Sequence, residues 1–340
     1  MFKNFRKNNA EYIYIEFGTD QFKVYAPSIN LFETKPSVIC VSKDYDEVIF
    51  IGEEAVTKYS TRKYRKISPV INGTIHDYKA SELFLHHELA VILEQMGRKT
   101  KFFRPNIVAS IHSTSSEVEI SAYTDALESF GVSSVTFVNE GVAALYSDSE
   151  IGSGIVCKIG YSITDLLIII NNEICYDNTF YFGSVNILSS VQDYIKDKYL
   201  IDISLKSINK VISEMDFSSS KKKIVQLKGK NLKDGLPVEF EVYQSEITNV
   251  IIEEFSVVIV ELKKMIEKAS TSELDQLLEE GITVSGGLFL IKEFSNEIKK
   301  HVKLKLQITD PIKATVMGLE IINNSPDLLE NLEVKDLIFL

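Results

Sequence analysis

The sequence predicts an α/β protein built from two like halves that face each other across a cleft, and three observations predict it. Strand-like and helix-like runs alternate along the chain, which is the pattern of sheets covered by helices. A strand, turn and strand opening occurs at 12–26 and again at 155–182, once in each half, as expected of a duplicated unit. The 340 residues are 45% hydrophobic, enough to fill two cores.

Each element follows from local pattern. Strand-like runs at 12–17, 21–26, 37–42 and 47–52 come first, and "SELFLHHELAVILEQMGRK" at 81–99 carries helical spacing. "PNIVASIH" reads as a buried strand. "SSEVEISAYTDALESFG" reads as a helix with Ser115 or Ser116 as N-cap, Glu119 completing a capping box and Gly131 as C-cap. "SSVTFVNE" is the next strand, and "GVAALYS" opens a helix. In the second half, "CKIGYSITDLLIIINNEICYD" at 157–177 is a buried strand, a tight turn, a second apolar strand and a polar "NNE" tip. That is the outline of a phosphate-gripping hairpin, which normally has an acid on its first strand and glycines in its turn, so that backbone N–H groups approach a phosphate. Here Lys158 holds the acid's place, and Tyr161 and Ser162 fill glycine positions. A Lys-rich "SSSKKK" loop, a "KDGLP" turn, the long amphipathic helix "SEITNVIIEEFSVVIVELKKMIEK" and the strand-to-loop "GITVSGG" follow.

Composition excludes several function classes. A net charge of -11 with no basic domain argues against nucleic acid as a partner, because such binding rests on clustered Lys and Arg. Cys40, Cys157 and Cys175 lack CxxC spacing and read as reduced thiols. No run of 18 apolar residues is present, and "MFKNFRKNNAEY" lacks the apolar stretch of a signal peptide, so a cytoplasmic protein is expected.

Several motifs fall together in one order: Phe17, Gly18 and Thr19 in "YIEFGTDQFKVYA", "NEGVAAL" at 139–145, the hairpin at 157–170, "VSGGLFLIKEF" at 284–294 and "DPIKATVMGLEI" at 310–321. With "KPSVICV", "IGEEA", "NGTIHDY" and "GKNLKDGLPVEFEV", the chain from about residue 1 to about 325 resembles the actin-type ATPases, and among them the bacterial actin MreB family. The resemblance implies an actin-like fold of two duplicated ribonuclease-H-like domains flanking a nucleotide cleft. Domain I would span 1–150, with a small insert at about 33–78, and be completed by 311–340. Domain II would span 151–310, with an insert at about 187–250.

The implied cofactor is ATP or ADP, gripped by Gly18, Thr19 and Asp20 in the first loop, by Gly160, Tyr161 and Ser162 in the second, and by Ser285, Gly286, Gly287 and Leu288 in the third. Thr164 and Asp165 are also kept. Three departures stand out. Glu16 replaces the aspartate that would hold Mg²⁺ through water, which displaces the carboxylate by one methylene. Lys158 replaces the aspartate that orders metal-bound waters, and a cation there repels Mg²⁺ by several kcal/mol even at an effective dielectric near ~20. Its ammonium either stands in the metal's place against the phosphates or salt-bridges Glu16 or Glu140 across an inactive cleft. Tyr161, Ser162 and Leu288 add side chains where glycines would let backbone approach nucleotide. Glu140 matches the residue that orients attacking water, the alternative being an acid favoured at a helix start. Glu214 matches a ribose contact, while Ile212 stands at a usual lysine.

Two segments point to membrane lipid. Met1, Phe2 and Phe5 share one helical face opposite Lys3 and Lys7, and Phe102 and Phe103 sit among Arg98, Lys99, Lys101 and Arg104. The expected function is a filament protein at the inner face of the cell membrane, serving cell shape or a related cytoskeletal task, with weak or absent ATP hydrolysis. Its implied partners are further copies of itself, an antiparallel double protofilament being one arrangement, membrane lipid and a paralogous actin. The alternatives are an inactive scaffold that assembles with an active paralogue and a phosphotransferase of the sugar-kinase type.

Overall fold

The computed structural model describes residues 11–42, 47–58, 63–100, 103–147, 152–215, 217, 223–332 and 335–338; the expectations for Phe2, Phe5 and Phe102 lie outside the described residues. Two sheets organise the chain. In the first, Tyr12–Phe17, Gln21–Ala26 and Leu31–Pro36 form an antiparallel meander. Its first strand pairs in parallel with Asn106–Ile111, and that strand with Ser134–Asn139; Lys335–Ile338 closes the far edge antiparallel. In the second, Gly154–Ile159, Thr164–Ile170 and Glu173–Phe180 form the meander, and Gly154–Ile159 is followed in parallel by Ile282–Ser285 and Leu306–Ile308. Setting the edge strand aside, both sheets run third, second, first, fourth, fifth, so the duplication read from two hairpins extends to the whole sheet. This is the actin-like α/β fold expected from the sequence.

Local chemistry sets the element ends. Asn171 and Asn172 form the tip of the second hairpin with φ of 51° and 68°, the left-handed pair a two-residue turn requires. Ser116 and Glu119 form the expected capping box on Glu117–Glu128, whereas its C-cap is Ser129 and Gly131, with φ +93°, comes two residues later. The helix read at 81–99 is Tyr78–Gln95. Asp77 starts it by accepting from the Ala80 N–H, and Gly97, with φ +69°, ends it in a Schellman turn in which the Arg98 N–H reaches the Leu93 carbonyl. The run at 37–42 is Ile39–Ser42, in a separate small sheet between Val48–Ile51 and Tyr64–Ile67. A second small sheet joins Ile201–Asp202, Ile224–Asn231 and Pro237–Tyr243.

Three large cores follow from strand alternation. Ile13, Ile15 and Phe17 face the first core, with Phe84 and Leu89 of the helix behind them. Ile155, Cys157 and Ile159 face the second core, with Phe255 and Leu262 of Gln244–Ile266. The opposite strand faces, carrying Tyr14, Val108, Val138, Val156 and Leu167, meet in a third core that joins the two sheets. Helices Glu140–Tyr146 and Ala314–Asn324 fill it and cross so closely that a Cβ on Gly318 would lie 1.7 Å from the Ala143 carbonyl oxygen. Among the described residues no helix is long and apolar enough to cross a membrane.

Candidate functional site

The strand faces that line the joint core carry charged residues further along, and these converge. Two residues beyond Tyr14 stands Glu16, beyond Val138 Glu140, beyond Val156 Lys158, and before Leu167 Asp165; His112 follows Val108 four residues on. The same period of two that drives one end of each face into oil brings the other end into a shared polar centre. Glu16, Glu140, Lys158 and Asp165 are all buried.

These side chains form one ion network between the sheets. The Lys158 ammonium contacts Glu16 Oε1 at 3.2 Å and also pairs with Glu140 Oε2. Lys23, opposite Glu16 in the first hairpin, donates to both Glu16 oxygens at 3.1 Å. His112 Nδ1 faces Glu140 Oε1 at 2.8 Å and Asp165 Oδ2 at 2.9 Å. Thr179 donates to Asp165 Oδ1 at 2.5 Å, and its hydroxyl lies 2.9 Å from that of Ser113. Burial alone would neutralise such groups, but the partners win. Burial pulls the His112 imidazole down, yet Glu140 and Asp165 carry it up to about 10, so it is a cation at neutral pH. Burial pushes Glu140 up, and His112 and Lys158 together hold it well below the ordinary carboxylate range. Glu16 is held down by Lys158 and Lys23 against the same desolvation. Lys158 is raised, its two glutamates outweighing burial. Three cations thus face three carboxylates.

The loops expected to grip phosphate also meet. Thr19 Oγ1 lies 3.2 Å from Ser162 Oγ, so the first and second loops are joined directly. The Thr19 oxygen also accepts from the Gly73 N–H at 3.1 Å. Gly73, with φ +71°, forms with Asn72 the two-residue tip between Val70–Ile71 and Thr74–Ile75, and its lack of a side chain is essential, since a Cβ would fall 2.0 Å from His112 Nε2. Burial, with Asp20 across the gap, raises the Tyr161 phenol. In the third loop, Ser285 pairs in register with Lys158; Gly286, with φ +109°, runs against the Ile159 carbonyl, and a Cβ on Gly287 would meet open space.

Not every expected site residue joins this centre. Leu288 is buried in the second core beside Phe289, so its side chain packs the domain instead of filling a glycine-like gap in the cleft. Ile212 is buried in the same core, and Glu214 ends helix Leu205–Glu214 in solvent. Phe103 is half-buried against the first core, with the Arg98 guanidinium 5.1 Å above its ring, and Arg98 pairs with Glu11. Sequence reading missed Lys23, His112, Gly73, Ser113 and Thr179. The alternation of the strand faces was the available signal for Lys23 and His112.

The donor set does not fit Mg²⁺, which takes oxygen ligands in near-octahedral geometry. Glu16 is taken by two ammonium groups, Glu140 by Lys158 and His112, and the Lys158 ammonium stands between the two glutamates. The ligand atoms of His112, Glu140 and Asp165 lie within 4.8 Å of one another, but the His112 proton already joins them. Of the loop glycines at 18, 160, 286 and 287, Gly287 has open space where a Cβ would stand, while Gly18, Gly160 and Gly286 pack there against the carbonyl oxygens of Gln21, Ile163 and Ile159.

Residues 10–331 match the MreB/Mbl protein family. The cell shape-determining protein Mbl of Bacillus subtilis is 22% identical over 329 residues, covering 94% of this chain and 98% of Mbl. The cell shape-determining protein MreB of Escherichia coli is 20% identical, covering 94% of each. Among solved structures, MreB5 of Spiroplasma citri bound to AMPPNP superposes with a TM-score of 0.85 at 22% identity, covering 96% of this chain and 98% of that one. The MamK double helical filament gives a TM-score of 0.74 at 14% identity over 93% and 99%. With the family match spanning nearly its whole length, and the duplicated sheets and cleft in place, the chain belongs to the MreB/Mbl family of actin-like proteins.

Proposed function

We propose that this chain forms membrane-associated cytoskeletal filaments serving cell shape or a related task, with ATP or ADP acting as a conformational ligand and with weak or absent hydrolysis. The observation that carries this reading is Lys158 held between Glu16 and Glu140. A residue that accepts a proton from attacking water needs a free oxygen and a basicity near the working pH. Both Glu140 oxygens are occupied, one by His112 and one by Lys158, and those cations hold the carboxyl low. Glu140 is therefore poorly basic. Filament formation and nucleotide occupancy are supported by the MamK filament and by Spiroplasma MreB5, seen with AMPPNP and with ADP. The partners are further copies of the chain, an antiparallel double protofilament being one arrangement, and a paralogous actin.

Losing a general base costs about 10²–10⁴-fold in rate. Phosphate release should accordingly be about a hundredfold or more slower than for an ordinary family member, and Lys158→Asp with Tyr161→Gly should raise it. Filaments should still pellet with a non-hydrolysable analogue. A wild-type rate equal to an ordinary member's, or pelleting that vanishes with the analogue, sinks the reading. A scaffold that binds no nucleotide is the second reading, favoured by the Thr19 to Ser162 contact that joins the two loops. Nucleotide content of the freshly purified protein separates the two.

Membrane attachment rests on the sequence of the two aromatic and basic segments. Each phenylalanine buried at an interface contributes roughly 1.5–3 kcal/mol at most, so a single protomer binds weakly and a filament binds by multiplicity. Liposome co-sedimentation should drop sharply for Phe102→Ser, partially on deleting residues 1–8, and with added salt. Undiminished co-sedimentation of the combined variant, with polymerisation intact, removes this assignment.

A further inference from the structure

Lys158 bridges two carboxylates of the network, and its departure would leave neither without a partner. Of its two glutamates, Glu16 keeps Lys23, which bonds both of its oxygens, and Glu140 keeps His112 on its other oxygen. Lys23 would likewise leave Glu16 with Lys158, but it bonds that glutamate alone, and His112 is not spare. Without His112, Asp165 would retain only the Thr179 hydroxyl among its closest contacts. Lys158 also lies in register beside Ser285, at the head of the Gly286 and Gly287 turn, and its strand leads directly into the second loop at Gly160. An ammonium on a flexible stem, paired but redundant and placed where two glycine-bearing turns converge, can exchange a glutamate for a phosphate oxygen without stranding a buried charge.

From this arrangement we infer that the cleft takes a nucleoside di- or triphosphate without a divalent cation, Lys158 supplying the positive charge on the phosphates. This rests on the nucleotide-binding part of the function proposed above. Added Mg²⁺ would have to compete with Lys23, His112 and Lys158 for the carboxylates of the site. In the bound state Lys158 would contact phosphate, Glu16 would stay with Lys23, and Glu140 with His112. No bond is made or broken.

The test is equilibrium binding of ATP and ADP to the full chain by calorimetry, in EDTA and in MgCl₂. Wild type should bind with dissociation constants within about threefold in the two buffers. Lys158→Gln should weaken binding in EDTA by about tenfold or more, the scale of one charge-assisted hydrogen bond. Lys158→Asp should bind at least about tenfold more tightly in MgCl₂ than in EDTA. Far-ultraviolet circular dichroism checks that each variant is folded, and the Gln variant, which adds no fourth acid to the site, carries the test if the Asp variant is not. Wild-type binding tenfold weaker in EDTA than in MgCl₂ overturns the inference, as does unchanged binding by Lys158→Gln. Absence of nucleotide binding in both buffers also overturns it while leaving filament formation, scored separately by pelleting, untouched; loss of pelleting with divalent-free binding intact removes the filament reading alone.

Discussion

Glu140→Ala is expected to lower folding stability by about 3–5 kcal/mol, the cost typical of breaking a buried ion pair by removing one partner. Glu140 is buried and pairs directly with both Lys158 and His112, so its loss leaves a net positive charge in a centre that burial keeps from water. Removing Lys23, whose side chain is 14% exposed, should cost about 1 kcal/mol or less, because water can take over part of its role and Glu16 keeps Lys158. The decisive comparison is a double-mutant cycle of Glu140→Gln with Lys158→Met. Each single change unbalances the centre, and the pair together restores neutrality, so the double variant should be less destabilised than the sum by at least about 1 kcal/mol. Denaturant unfolding of the four proteins measures it. Strict additivity would mean that Lys158 and Glu140 do not act on each other.

The fold and the outline of the cleft were legible in the sequence because both depend on local pattern. Alternation placed Tyr12–Phe17 and Gln21–Ala26 to the residue, and the Ser116 and Glu119 capping box fixed a helix start, since each signal is carried by neighbours within a few positions. The edge strand Leu31–Pro36 was not legible: its Glu33, Thr34 and Lys35 carry no apolar alternation. At the site, Lys158 announced itself as a charge in a wholly apolar run, and its pairing with Glu16 and Glu140 was one of two open readings. His112 did not announce itself, because its role depends on two carboxylates 28 and 53 residues away and on the bare Gly73 tip packed against its ring. Leu288 misled for the converse reason: a residue beside two glycines looks like part of their turn, yet the turn of Gly287–Leu290 swings its side chain into the second core.

Stability should fall as pH rises from about 6.5 to about 10, and His112 is the reason. Unfolded histidine releases its proton near the ordinary value of 6.5, while in the folded chain Glu140 and Asp165 hold that proton to about 10 against the opposing effect of burial. Across this window the native state binds more protons than the unfolded one, so the stabilisation is complete below the lower value and is lost on passing the upper one. The slope approaches at most about 1.4 kcal/mol per pH unit for one proton. On the acid side the sign reverses: Glu16 and Glu140 are held below their ordinary value of 4.5, so their contribution is present above it and disappears as they protonate at lower pH. His112→Asn separates this imidazole from every other group titrating in the alkaline range. The melting temperature of wild type should exceed that of the variant by a margin that is widest near pH 6 and shrinks towards pH 10, because the deprotonated wild type has lost the same positive charge that the variant never had. A margin that stays constant from pH 6 to pH 10 would show that His112 is neutral between Glu140 and Asp165, leaving those two carboxylates to be balanced by Lys158 alone.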